Sequence, residues 1–248
     1  MIEFETLCYL QNQKTGCTFV ETMLRNFCTE GIVRYEKHRP LPRRKPGKFY
    51  FISVREPLDA YGSLFRYGLD RKGELYLRLK AAGHGALYVQ GMDGFAAWLE
   101  FVLDAKHAAL VFPGAGPALS GALGLQSWRF LRLATLGLEQ AAATLLSPQA
   151  VRDYARAQMA VDSVVRYECM KEDLSELLQG PLAHAFASPA AVVRWVKQSP
   201  RINASGTQAS FALRDLPQDL RDRLVQREWY LYENHYNADG TLHQARLR

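Results

Sequence analysis

The stretch Leu7-Cys8-Tyr9-Leu10-Gln11-Asn12-Gln13-Lys14-Thr15-Gly16-Cys17-Thr18-Phe19 constrains the chain more than any other. An apolar run enters a short polar turn, and Phe19, Val20, Met23, Leu24 and Phe27 follow at helical spacing. The order is strand, loop, helix. The first backbone N–H groups of a helix have no intrahelical acceptor, so they point at whatever sits beyond the turn. The helix dipole favours negative charge there, and Lys14 adds a full positive charge. Gly16 lets an anion approach the backbone closely, and Thr15 and Thr18 bring hydroxyl donors. The spacing Gly-x-x-x-x-Gly-Lys-Ser/Thr is absent, so an ordinary ATP or GTP hydrolase is not expected.

A second stretch has the same grammar. Lys48-Phe49-Tyr50-Phe51-Ile52-Ser53-Val54 reads as a buried strand ending at Arg55, and Pro57 opens the next helix, with Ser63 two turns along it. Lys14-Thr15-Gly16 followed by Arg55 and Ser63 resembles the two phosphate-binding elements of sulfotransferases that use 3'-phosphoadenosine 5'-phosphosulfate (PAPS). The resemblance runs from about residue 5 to 236. It implies one domain over residues 1–248, an α/β fold with a central parallel sheet flanked by helices, and a P-loop-like sulfotransferase architecture. It also implies that Lys14, Thr15, Gly16, Cys17 and Thr18 hold the 5'-phosphosulfate, and that Arg55 and Ser63 hold the 3'-phosphate. No metal is required by this chemistry.

Between the two elements, Ile32-Val33-Arg34-Tyr35 reads as a short strand with His38 just past its carboxyl end, the edge where open α/β sheets bind ligands. Sulfuryl transfer to an alcohol needs a base that is neutral near pH 7, which an imidazole supplies. His38-Arg39-Pro40 resembles the catalytic-base element of the carbohydrate branch of the family, which includes uronic-acid sulfating enzymes. His38 is therefore read as the base and Arg39 as an acceptor contact, with Glu36, Glu168 and His235 as alternative bases. Gln126 and Arg129, at i and i+3 after a Gly/Pro/Ala-rich loop over Val111–Gly124, resemble the same branch's acceptor-facing element. An interhelical salt bridge from Arg129 is the competing reading. Asn203 and Ser205 resemble a late cofactor-side element, and Trp229–Tyr236 its aromatic closing helix over about 216–236. The chain departs from the pattern at Gln13, Cys17, Thr18 and Phe19, and Phe19 removes one expected hydroxyl donor.

Composition narrows the setting. The chain has 248 residues, 48% hydrophobic and 23% charged, enough for one well-buried domain. It has no apolar run of 18 residues and begins acidic, so neither a membrane span nor a secretory signal is expected, and a cytoplasmic location is. The net charge of +6 suits an anionic ligand, and much of it lies in Arg34–Lys48, read equally as a solvated loop or as a functional rim. Four cysteines without metal-type spacing read as buried thiols, with Cys17, at a helix N-terminus, the one place for a stabilised thiolate. Phe95, Trp98, Leu99 and Val102 form a core stripe on a helix over 93–107. A kinase-like phosphoryl transferase, with Glu168 as its metal-binding acid, is the first rival to sulfuryl transfer. A non-catalytic anion- or nucleic-acid-binding module is the second, though no aromatic interleaving accompanies the basic residues and no nucleic-acid partner is expected.

Overall fold

Strands that are apolar on both faces need cover on both sides, which is the composition of Leu7–Leu10 and Phe49–Val54. The computed structural model, which describes residues 1–200 and 211–243, provides that cover. Strands β1 (Ile2–Glu3), β2 (Leu7–Leu10), β3 (Arg34–Tyr35), β4 (Phe49–Val54) and β5 (Ser163–Arg166) form a five-stranded sheet in the order β3-β1-β2-β4-β5. β2 and β4 are parallel with Leu7 opposite Phe49, and β4 and β5 are parallel with Phe51 opposite Ser163.

The sheet is mixed, not wholly parallel as the sequence predicts. The expected continuous strand over residues 3–10 breaks at a tight turn, where the Phe4 N–H donates to Leu7 O at 2.8 Å and folds β1 back beside β2. β1 is antiparallel to both its neighbours, so β3 runs in the same sense as β2. The carboxyl ends of β2, β3, β4 and β5 therefore share one edge.

Helices cover both faces. Cys8 and Leu10 of β2, with Tyr50, Ile52 and Val54 of β4, face a large core. That core is built with α2 (Pro57–Leu69), α3 (Glu74–Ala81), α4 (Met92–Leu103), α5 (Ala108–Val111), α6 (Gly116–Ala122), α7 (Leu125–Ala134), α8 (Leu138–Ala141) and α9 (Pro148–Gln158). Leu7, Tyr9 and Phe51 face a smaller core with α1 (Cys17–Phe27), α10 (Met170–Gln179) and α11 (Pro189–Gln198). The chain thus leaves β2 onto one face through α1 and leaves β4 onto the other through α2. Two neighbouring parallel strands whose connections diverge open a crevice at their carboxyl ends, the usual ligand position in such sheets. Phe95, Trp98, Leu99 and Val102 are all buried, as their spacing predicts. Among the described residues, no helix is long and apolar enough to cross a membrane.

Two segments differ from expectation. Val111–Gly124 is not a bare loop, because α6 forms within it. The closing helix is two, α12 (Gln218–Arg227) and α13 (Trp229–Asn234), broken at Glu228. Glu228 is fully buried, and its carboxylate accepts from the amides of Gln126 at 3.0 Å and Ser127 at 2.7 Å and from the Tyr61 hydroxyl at 2.5 Å. It therefore caps α7 from a distance, at a start where Gly124 has no side chain to do so. A Cβ on Gly124 would lie 2.2 Å from Glu228 Oε1. Gly124→Ala is expected to cost about 1–3 kcal/mol through this overlap, read as a lowered urea midpoint at unchanged m-value. An unchanged midpoint would show that Glu228 is not fixed where its hydrogen bonds place it.

Candidate functional site

The loop after β2 is held in a shape that its sequence would not adopt unaided. Lys14 has φ 64° and Gly16 φ 79°, and a non-glycine residue keeps a left-handed backbone only where its surroundings fix it. Buried hydroxyls and an amide do the fixing. Thr15 Oγ1 donates to Asn12 O at 3.0 Å and lies 2.6 Å from Ser53 Oγ, which lies 2.5 Å from the Tyr9 hydroxyl. Asn12 Nδ2 donates to Ser53 O at 3.3 Å, while Asn12 Oδ1 accepts from the Gln13 amide at 2.9 Å. Arg55 Nη1 closes the turn by donating to Lys14 O at 3.0 Å.

Among the described residues, the backbone N–H groups of Lys14, Thr15, Gly16, Cys17 and Thr18 donate to no backbone or side-chain acceptor. Successive amides around left-handed residues form a concave anion nest. Thr15 is only 2% exposed and its hydroxyl is engaged internally, so its share in holding an anion runs through the backbone. Burial pushes the Cys17 thiol up, against the thiolate that its place at a helix start allows.

Lys14 Nζ sits 4.2 Å from the centre of the Tyr67 ring. Burial, then the charges of Arg55, Arg66 and Arg129, lower its pKa. Arg55 lies over the Tyr167 ring at 4.1 Å and donates through Nε to Asp59 Oδ2 at 2.7 Å. On α2, Asp59, Ser63 and Arg66 stand at i, i+4 and i+7 on one face. Ser63 is partly exposed, and Arg66, buried, comes within 3.8 Å of Asp59 Oδ1. The motif that picks out Arg55 and Ser63 passes over Arg66, although the helical spacing from Asp59 carries the signal.

His38 also has a left-handed backbone, φ 60°, and its Nδ1 lies 2.7 Å from Gln11 O. A carbonyl only accepts, so Nδ1 carries the proton and Nε2 is left with a bare lone pair. Arg132 Nη1 donates to His38 O at 3.0 Å, tying α7 to this segment. Burial, with Lys37 and Arg129 nearby, lowers the His38 pKa below its ordinary value.

His38 opens on a cavity of about 350 Å³ whose walls include Asn12, Gln13, Arg39, Arg78, Arg129 and Arg132. Arg129 is 8% exposed, and burial pulls its pKa down to about 10. No salt bridge reaches it among the described residues, so the competing reading of Arg129 is not what the fold adopts. Gln126 is buried with Nε2 unpartnered and does not line this cavity. Much of the rest of the basic run is paired: Lys48, buried, and Lys45, at the surface, donate to Glu3 Oε1 at 2.7 and 2.6 Å, and Arg44 pairs with Asp162.

The alternative bases are committed elsewhere. Glu168 accepts from the Glu56 amide at 2.8 Å and from the Tyr236 hydroxyl at 3.0 Å, which makes it a tie between β4, β5 and the chain's end. Glu36 pairs with Arg34 at 2.9 Å. His235 lines a different cavity, with Asp162 and Asp173, and burial pushes its pKa down to about 3. Asn203 and Ser205 lie outside the described residues. No protein-family model matches the chain, and no curated protein or solved structure matches it either.

Glu56 caps α2 by accepting the amides of Leu58 at 3.0 Å and Asp59 at 2.7 Å, and it accepts from the Tyr232 hydroxyl at 2.7 Å. Burial raises its pKa from 4.5 to about 7. A carboxyl with a raised folded pKa binds more protons folded than unfolded, so its contribution to stability falls as pH rises from about 4.5 through 7. Glu56→Gln keeps an acceptor and removes the titration. Urea midpoints at pH 5 and pH 8 should therefore fall less steeply in the variant than in the unsubstituted chain. Equal slopes would show that Glu56 stays ionised in the fold.

Proposed function

We propose that the chain transfers a sulfuryl group from PAPS to a hydroxyl of a carbohydrate-type acceptor. One observation carries the reading: a loop of unpaired amides with Lys14 and an imidazole with a bare Nε2 lie at the same sheet edge, the imidazole opening on a cavity. The donor nucleotide supplies the sulfuryl group, and the chain's own residues bind, orient and take the proton. The loop amides and Lys14 hold the phosphate end, where one preorganised donor is typically worth about 3–4 kcal/mol in the transition state. Arg55, Ser63 and Arg66 are the side chains for the 3'-phosphate. Asp59 already pairs with both arginines, and a phosphate dianion competes for them with more charge than one carboxylate. His38 Nε2 takes the acceptor's proton, a contribution of about a hundredfold or more.

The rivals account for less. In a phosphoryl transferase Glu168 would have to hold a metal, yet among the described residues it belongs to no group of three or more His, Cys, Asp or Glu side chains that could hold one. A non-catalytic module accounts for the loop but gives the His38 tautomer no purpose.

Calorimetric titration tests the reading. 3'-Phosphoadenosine 5'-phosphate should bind at least about tenfold more tightly than ADP, a difference of about 1.4 kcal/mol, and Arg55→Ala should erase most of it. Equal affinities in the unsubstituted chain would overturn the cofactor assignment.

Turnover tests the base. His38 acts when neutral and its pKa is lowered, so the rate should rise with pH through a value below 6.5 and then level off. His38→Ala should bind the nucleotide normally and lose about a hundredfold in rate. Near-normal turnover with an unchanged pH profile would remove His38 from the role. Lys14→Ala should lower turnover more than affinity, because its charge matters most as the leaving group develops.

A further inference from the structure

A guanidinium taken out of water needs a partner, and fold and sequence normally provide one. Arg129 lacks it. Its side chain is buried in the wall of the His38 cavity, and Nη1 has no hydrogen-bond partner among the described residues. The cations around it are accounted for differently. Arg78 is held by Glu74 at 2.5 Å and by the carbonyls of Leu110 and Val111, and Arg132 by Glu139 at 2.5 Å. Lys37 lies 3.7 Å from Glu21. Among the described residues the one carboxylate in the cavity wall, Glu74, is thus already spent on Arg78. The cavity has a net positive wall and one buried, unneutralised fork.

We infer that this cavity is an oxyanion site: the acceptor carries a carboxylate, sulfate or phosphate group that seats on Arg129 while its hydroxyl meets His38 Nε2. The inference rests on the sulfuryl-transfer reading for the hydroxyl's fate, but the anion site stands on Arg129 alone. An anion there would neutralise a charge that burial makes costly. A neutral acceptor does not. The volume of about 350 Å³ is at the low end of small-molecule sites, so the group recognised is about the size of one sugar ring. Arg129 would act as a binding and positioning residue, fixing which hydroxyl of the ring faces the base. Lys37 and Arg39, both exposed at the cavity's edge, would supply long-range attraction.

The experiment is a nucleotide-free titration, by calorimetry or amide chemical shifts, with rings that differ at one carbon. Methyl glucoside is neutral there, methyl glucuronide bears a carboxylate, and glucose 6-sulfate and glucose 6-phosphate bear the other two oxyanions. At least one charged ring should bind about tenfold or more tightly than methyl glucoside, and the rank among the three identifies the group. Arg129→Met, close in volume, should abolish the preference and leave binding of the neutral ring unchanged. Arg129→Lys keeps the charge but loses the fork and should retain part of the preference, which preserves the test should the Met variant not fold. Equal binding of charged and neutral rings, or a preference that survives Arg129→Met in a folded protein, overturns the inference. A parallel titration with 3'-phosphoadenosine 5'-phosphate separates the two readings. Nucleotide binding without ring discrimination refutes only the anion site, and ring discrimination without nucleotide binding refutes only sulfuryl transfer.

Discussion

The site depends first on the buried hydroxyl of Ser53. It stands on β4, yet its partners are Tyr9 on β2 and Thr15 in the loop, and its own carbonyl holds Asn12. The strand pairing brings β2 and β4 together, but only this cluster sets the loop's height above them. Networks of this kind, fully satisfied and out of water, rigidify what they join. The left-handed turn at Lys14 is their product, and Arg55, bound to Lys14 O, is its outer clasp. The amides that follow, which have no acceptor among the described residues, are held in place by that packing alone.

Charge in this protein divides into a structural part and a free part. Glu3 and Asp162 absorb Lys45, Lys48 and Arg44, which fastens the proline-rich connection between β3 and β4 to the sheet, and Lys37 ties the same connection to Glu21 on α1. A run that looks from composition like a solvated cationic rim is therefore mostly fastening. At the crevice, Arg129 and Arg39 have no ion pair among the described residues.

The elements legible in the sequence were those whose signal is local. The strand–loop–helix of residues 7–27, the strand ending at Arg55 and the helix opened by Pro57 carry their own periodicity and caps. The position of His38 beyond a strand was legible too, whereas its tautomer was not, because the deciding partner is the carbonyl of Gln11. Arg129 was visible as a residue but not as an unpaired one, since absence of a partner is a property of the whole packing. The reversal of β1 hides in a turn without glycine or proline, Phe4-Glu5-Thr6. Glu228 could not be found at all: its capping of α7 joins residues about a hundred positions apart, and nothing near either end announces it.

The pairing of Phe51 with Ser163 has a consequence for how the molecule reaches its final fold. β5 pairs with β4 across the whole chain between α2 and α9, and the Tyr50 amide donates to Asp162, 112 residues away. Contacts of such sequence separation slow folding, because the entropy of closing the intervening chain is lost before they return anything. Until β5 docks, Glu56 lacks Glu168 and Arg55 lacks the Tyr167 ring. The loop after β2 can be nearly complete while its clasp is still unsupported. A chain in which β5 has not docked therefore keeps most of the sheet and loses the support of the turn at Lys14.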